Sequence, residues 1–160
     1  MKDQLTQAIQ LRNENKCEEA LVILKKLLES HPLDPDINYQ TAWTCDRLGN
    51  ESEAAPFYET ALSNGLTTDR HGAYLGLGST YRCLGEYKKS LQTLDQAIVE
   101  FPDDRSLKVF RALTNYNLGS FEASVQELLV QLIETTDDSS IQMYKRALHF
   151  YSDKLNQTWK

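Results

Sequence analysis

The sequence predicts an all-α protein of about four consecutive helical hairpins followed by a closing helix. Three observations carry that prediction. The segments NKCEEALVILKKLLESHPLDP, GNESEAAPFYETALSNGL, GEYKKSLQTLDQAIVEFPDD and GSFEASVQELLVQLIETTDD align with Ala20, Ala54, Ser90 and Ser124 in one column, 34, 36 and 34 residues apart. A second small column, Ala8, Ala42, Gly78 and Ala112, precedes the first by twelve positions. Between the two columns an Asn or Gly recurs as Asn15, Gly49, Gly85 and Gly119. A period of about 20–50 residues signals stacked supersecondary units, and an Asn or Gly at a fixed phase between two apolar periods marks a helix end that tolerates positive φ.

Each repeat therefore reads as two helices around a tight turn, over about 1–34, 35–68, 71–104 and 105–138, in a single domain spanning 1–160. In the third repeat Tyr74, Leu77, Tyr81 and Leu84 form the apolar stripe of a first helix, and Gly85 stops it. Leu91, Leu94, Ala97 and Ile98 form the stripe of the second, which Phe101-Pro102-Asp103-Asp104 ends. The facing small columns let the two helices of each hairpin cross closely. Asp69 and Arg70 form a two-residue insertion that predicts a longer joint between the second and third repeats. Pro56 predicts that its helix starts late, near Ser52 or beyond, because a proline is tolerated in the first turn. Ile141, Tyr144, Leu148, Tyr151 and Leu155 recur at alternating three and four, which predicts one closing helix over about 139–156, with Trp159 beyond it. That helix is expected to cap the last repeat, since a solenoid end would otherwise stay apolar. A dimerisation surface and a plug for the chain's own groove are the alternatives.

These repeats resemble the tetratricopeptide repeat family. The third matches best, with Leu77, Gly78, Tyr81, Gly85, Tyr87, Ala97 and Pro102 at the signature positions and Tyr74 as the large aromatic of the first helix. The first repeat has Asn15 for the turn glycine and Cys17 for the aromatic, the second lacks the terminal proline, and the fourth has Thr136 in that place. The order of repeats and the closing segment resemble a short bacterial single-domain tetratricopeptide family, one that implies no assigned activity. The resemblance implies a right-handed α-solenoid whose first helices line a concave groove, and a non-catalytic module for protein–protein interaction. The family's clamp for C-terminal carboxylates uses Lys and Asn, whereas the matching positions here are Leu5, Ile9, Tyr39, Trp43, Leu75 and Ser79, so that clamp is absent.

Composition narrows the function classes. The 17 Lys and Arg stand against 23 Asp and Glu, for a formal charge of -6, and no basic run tracks a phosphate backbone. Nucleic acid is not an expected partner, which also disfavours an RNA-reading helical repeat. Cys17, Cys45 and Cys83 form no Cys-x-x-Cys and predict neither a disulfide framework nor a zinc site. The amino terminus lacks an apolar secretory stretch, and no apolar run approaches the ~18 residues of a membrane span. A cytoplasmic protein with no membrane association is the expectation.

The stretch GAYLGLGSTYRCLG tests the catalytic alternative. A Gly-x-Gly-x-x-Gly fingerprint beginning at Gly76 would need glycine where Tyr81 stands, and a phosphate loop would need Gly-Lys-Ser/Thr where Cys83, Leu84 and Gly85 stand. Both motifs follow a strand, and none is evident. The acids at Asp34, Asp36, Asp103, Asp104, Asp137 and Asp138 fall at repeat junctions, where they suit helix N-termini. His31, His71 and His149 form no metal-ligand spacing. No catalytic residue, cofactor or metal is expected, and a small-ligand protein or enzyme is the least favoured alternative.

Two glycines of that stretch exceed the needs of the hairpin. Gly78 serves helix crossing, but Gly72 and Gly76 are not signature positions, and with Ser79 and Cys83 they fall within an arc of about 40° opposite the Tyr74 stripe. Interior glycines cost about 0.5–1 kcal/mol each against alanine, so the track is expected to leave backbone open to a partner. Its neighbours in phase are Tyr39, Trp43, Val109, Leu113 and Tyr116, and Arg12, Arg47 and Arg82 recur every 35 residues at its edge, interrupted by Asp46. The expected partner-binding groove is therefore Tyr39, Trp43, Arg47, Gly72, Gly76, Ser79, Arg82, Leu113 and Tyr116, receiving a protein or peptide segment. A homodimer through the closing helix is the second expectation.

Overall fold

The computed structural model describes residues 1–160 and is entirely helical. Eight repeat helices follow in order: α1 (Lys2–Asn13), α2 (Cys17–Ser30), α3 (Pro35–Arg47), α4 (Glu51–Ser63), α5 (Arg70–Cys83), α6 (Tyr87–Glu100), α7 (Arg105–Asn117) and α8 (Phe121–Thr135). Two short helices close the chain, α9 (Ser139–Gln142) and α10 (Lys145–Tyr151). No helix is long and apolar enough to cross a membrane. The chain forms two compact units, Met1–Thr93 and Leu94–Lys160, with the boundary inside α6.

One turn is built four times. Asn15, Gly49, Gly85 and Gly119 have φ of 64°, 73°, 77° and 80°, the left-handed conformation that ends a helix without steric cost only for Gly and, at small cost, for Asn. The following N–H then reaches back to close the helix: Lys16 to Leu11, Asn50 to Cys45, Glu86 to Tyr81 and Ser120 to Asn115, at 2.9–3.0 Å. This six-to-one bond satisfies a carbonyl that the helix end would leave orphaned. The second helix of the hairpin starts at once. At the other junctions an aspartate caps the next first helix: Asp34 accepts from Ile37 N, Asp69 from Gly72 N, and Asp104 from Leu107 N. Asp36, the other acid of the first junction, instead accepts from the Thr68 hydroxyl at 2.5 Å.

The small columns are where the hairpins close. Ala8, Ala20, Ala42, Ala54, Ser90 and Ala112 are fully buried, and Ser124 is nearly so. In the third hairpin the Ser90 hydroxyl donates to the Gly78 carbonyl at 2.7 Å, so the serine in that column meets helix backbone directly. Within the N-terminal unit the helices pack in chain order, α1 on α2 through α4 on α5, and the first helices α1, α3 and α5 touch side by side. Its core gathers Tyr39, Ala42, Cys45, Ala54, Ala55, Tyr58, Ala61, Leu66, Ala73, Leu77 and Tyr81. In the C-terminal unit α7 packs on α8, and Leu94, Ala97, Leu107, Ala112 and Ile133 are buried. There Arg111 joins α7 to its neighbours by bonding Glu127 and Asp95.

Three expectations are corrected. α4 begins at Glu51, not late, and Pro56 sits inside it. The ring is on the exposed side beside exposed Ser52, so the Ser52 carbonyl left without an N–H partner faces water and the helix continues. The Asp69–Arg70 insertion does not simply lengthen the joint, because Asp69 is the cap of α5 and Arg70 its first residue, with the Arg70 guanidinium donating to the Leu62 carbonyl and the Tyr74 hydroxyl. The closing segment is two pieces rather than one helix. At Tyr144 the backbone bond shifts to Ile141, three residues back, while Gln142 donates its amide to the Ile133 and Thr136 carbonyls at the end of α8. Lys145 and His149 both meet Glu134, and Asn156 bonds Glu122, so these polar anchors of the segment lie along α8. Tertiary tethering at separate points overrides the single 3.6-residue stripe. Ile141 and Leu148 are half-buried as a cap requires, but Tyr144, Tyr151 and Leu155 stay exposed.

Candidate functional site

In the N-terminal unit the face presented by α1, α3 and α5 carries seven of the nine expected groove residues, all on α3 and α5. Leu113 and Tyr116 lie on α7 in the C-terminal unit, where both are exposed and the Tyr116 ring meets the edge of Phe121 at 5.1 Å. Val109 on the same helix is half-buried.

The glycine track is occupied from within the chain, which corrects the expectation of open backbone. A Cβ at Gly76 would lie 2.5 Å from the Tyr58 hydroxyl oxygen, and a Cβ at Gly72 would lie 2.6 Å from that of Tyr39 and 2.5 Å from an Asp69 carboxylate oxygen. Neither tyrosine can swing aside. Tyr58 is buried and donates to Asp46 Oδ2 at 2.8 Å, while the Thr80 hydroxyl donates to Asp46 Oδ1 at 2.9 Å. Tyr39, also buried, donates to Asp69, the residue that caps α5. So both glycines admit tyrosines of the preceding repeat, and Tyr39 is core rather than groove anchor: its ring lies 5.9 Å from Trp43 and 6.2 Å from Tyr58. The cost of interior glycine in α5 is offset by aromatic burial inside the fold.

This network has a defined electrostatic character. Burial raises the Tyr58 phenol, and the Asp46 charge raises it further. Burial likewise raises Tyr39, with its bond to Asp69 adding to the shift. Asp46 is itself pushed up by burial, against the downward effect of the bonds from Tyr58 and Thr80. Tyr81 donates to Glu59 and is raised by burial and that bond. Cys45 is pushed up to about 12 by burial, an inert thiol, whereas Cys83 is exposed.

Arg12 is the second correction. Expected at a solvated edge, it is 2% exposed. Its guanidinium carbon lies 3.8 Å from the centroid of the Trp43 ring, its Nη1 donates to Gln40 Oε1 at 2.5 Å, and its Nε has no partner. Burial holds the guanidinium below its ordinary range, and nearby Arg47 pushes the same way. Trp43 is 39% exposed, so the indole covers the cation and still reaches solvent. Arg47 is exposed and donates to the Asn15 side chain at 2.5 Å. Ser79 and Arg82 on α5 are half-buried. Sequence reasoning does not single out Asp46, Tyr58, Asp69 and Thr80 as site residues; the signal for them is the coincidence of surplus glycines in one repeat with surplus tyrosines in the one before.

The histidines are spread over junctions and surface, His31 beside Ser30, His71 near Asp69 and His149 on Glu134. No group of three His, Cys, Asp or Glu side chains is placed to hold a metal ion.

Comparison with known proteins decides the family. A family model described as tetratrico peptide repeat matches residues 35–155. The chain is a tetratricopeptide repeat protein. Among solved structures it is similar to MamA 41-end from Desulfovibrio magneticus RS-1, with a TM-score of 0.75 at 17% identity, covering 95% of this chain and 85% of that one. It is also similar to a tetratricopeptide repeat protein from Parabacteroides merdae, with a TM-score of 0.75 at 20% identity, covering 92% of this chain and 57% of that one. A thermophilic tetratricopeptide repeat protein of Thermus thermophilus gives 0.66 at 23% identity, covering 97% of this chain and 84% of that one. At such identities the likeness establishes the helical-repeat solenoid class alone. The comparison with curated proteins gave no match.

Two outcomes follow from the joint between α4 and α5 in this tetratricopeptide repeat protein. Gly76→Ala gains helix propensity but drives a methyl into the held Tyr58 ring, so urea unfolding should show a net loss of about 1–2 kcal/mol, within the range of overpacked cores. For Asp46 the folded state binds its proton more tightly than the unfolded chain does. Stability from this group is therefore gained as pH falls from neutral towards the ordinary aspartate value of about 4, and lost as pH rises back through the raised folded value. The stability difference between wild type and Asp46→Asn should shift in favour of wild type on acidification, with the other carboxylates cancelling.

Proposed function

We propose that this tetratricopeptide repeat protein is a non-catalytic interaction module that receives a peptide or helical segment of a partner protein on the α1, α3 and α5 face of its N-terminal unit. The family as a whole consists of scaffolds for protein–protein contact. The observation that carries the finer reading is Trp43, a large aromatic stacked 3.8 Å over the buried Arg12 guanidinium and still 39% exposed. Rigid aromatics beside arginines are the usual energetic anchors of protein interfaces. In this reading Arg47, Ser79 and Arg82 belong to the same face, with Tyr39 packed against the Trp43 ring. Leu113 and Tyr116 present an exposed apolar surface on α7 of the C-terminal unit.

A second reading is self-association through the closing segment. Its support is a cluster of exposed rings, with Trp159 at 6.1 Å from Phe150 and 5.5 Å from Tyr151, and those two 5.3 Å from each other.

The partner reading is tested by affinity capture from the native cell followed by mass spectrometry. Trp43→Ala should reduce the retained partner at least about tenfold, the loss of one hot-spot aromatic. Trp43→Phe, which keeps a ring over Arg12, controls for folding and should weaken retention by less. Undiminished retention by both variants would remove the face from consideration. Sedimentation of the full chain separates the second reading: a dimer that Phe150→Glu converts to monomer supports it, and a monomer at all concentrations rejects it.

A further inference from the structure

The two arginines beside Trp43 lack the partners that Arg111 finds elsewhere in this chain. Arg12 is buried and Arg47 exposed, yet both spend their side-chain bonds on neutral amides, Gln40 and Asn15. Neither has a carboxylate within ion-pair distance, in a protein with 23 acidic residues. Arg111 shows the contrast, bracketed by Glu127 and Asp95. A buried guanidinium whose Nε has no acceptor and whose charge meets no anion is costly, and the Trp43 ring face offsets only part of that cost. The corner is a concentrated positive site on a protein whose formal charge is -6.

We propose that the Arg12, Trp43 and Arg47 corner docks an acidic segment of a partner protein, with a Glu or Asp side chain on Arg47 and an adjacent apolar side chain on the exposed part of Trp43. The reading deepens the proposed function and rests on it. Arg47 makes the direct contact, because it is exposed and can exchange the Asn15 amide for a carboxylate, a stronger charge-assisted bond. Arg12 acts from beneath: its charge is poorly screened where water is excluded, so it adds to the field at Arg47 and holds the indole flat. Asn15, in the left-handed turn conformation after α1, supplies the neutral acceptor that keeps Arg47 in place until an anion arrives.

The test uses the full chain and fluorescein-labelled dodecapeptides in matched sets, each with a central Leu or Phe flanked by Glu, by Gln or by phosphoserine. Anisotropy titrations should show the Glu set binding at least about tenfold more tightly than the Gln set, the scale of one charge-assisted bond. In Arg47→Gln, a surface substitution, that preference should fall below about threefold. Glu and Gln sets that bind equally, with binding lost in Trp43→Ala, would overturn the acidic preference and leave the interaction face standing. Binding of the phosphoserine set alone would overturn it in favour of a phosphopeptide. No binding by any set would overturn it outright, and the capture experiment with Trp43 variants then judges the face by itself.

Discussion

The contact on which the N-terminal unit depends is a tyrosine laid on a glycine. Tyr58 of one hairpin occupies the space over Gly76 of the next, and its hydroxyl is fixed by Asp46, which Thr80 holds in turn. Three helices, α3, α4 and α5, are joined through one ring and one carboxylate. Tyr39 repeats the device a turn earlier, over Gly72 and onto the cap aspartate of α5. A Cβ at either glycine would overlap these side chains, so something in the joint would have to shift. The polar ends of the two tyrosines also impose register, because a buried phenol and a buried carboxylate are costly unless they meet.

That device explains what is legible in the sequence and what is not. The repeat itself is plain, because its determinants are local: a left-handed Asn or Gly ends each first helix, and small residues recur where paired helices cross. Gly78 can be assigned for that reason. Gly72 and Gly76 cannot, since their reason lies in the preceding repeat, and periodicity within one helix does not show what faces it. The same gap hides the burial of Arg12, which looks like an edge residue on α1 until Trp43 of α3 covers it. Pro56 misleads in a different way. A proline inside a helix is judged by the carbonyl it strands, and exposure of that side decides the matter. The closing stripe at 141–155 has the period of one helix, yet bonds from Gln142, Lys145 and His149 to α8 break it near Tyr144.

These differences move the proposed interaction site rather than remove it. With the glycines filled from inside, no open backbone remains at Gly72 and Gly76 to attract a partner, and the proposed contact becomes exposed Trp43 and Arg47 over buried Arg12. There the Trp43 ring is stacked on the Arg12 guanidinium and lies 5.9 Å from the buried Tyr39 ring. A rigid aromatic loses little freedom on binding, which is how a small surface can bind specifically. The family's solenoid supplies the platform, while the residues on it differ from the family's own carboxylate clamp.

The central claim is that Tyr58 fills the surface over Gly76. Nuclear Overhauser spectroscopy of the labelled chain measures it directly. Strong cross-peaks between the Gly76 α-protons and the Tyr58 ring protons are predicted, with the Tyr58 ring protected from solvent. Gly76 α-protons that show no aromatic contact and sit open to water would contradict the account.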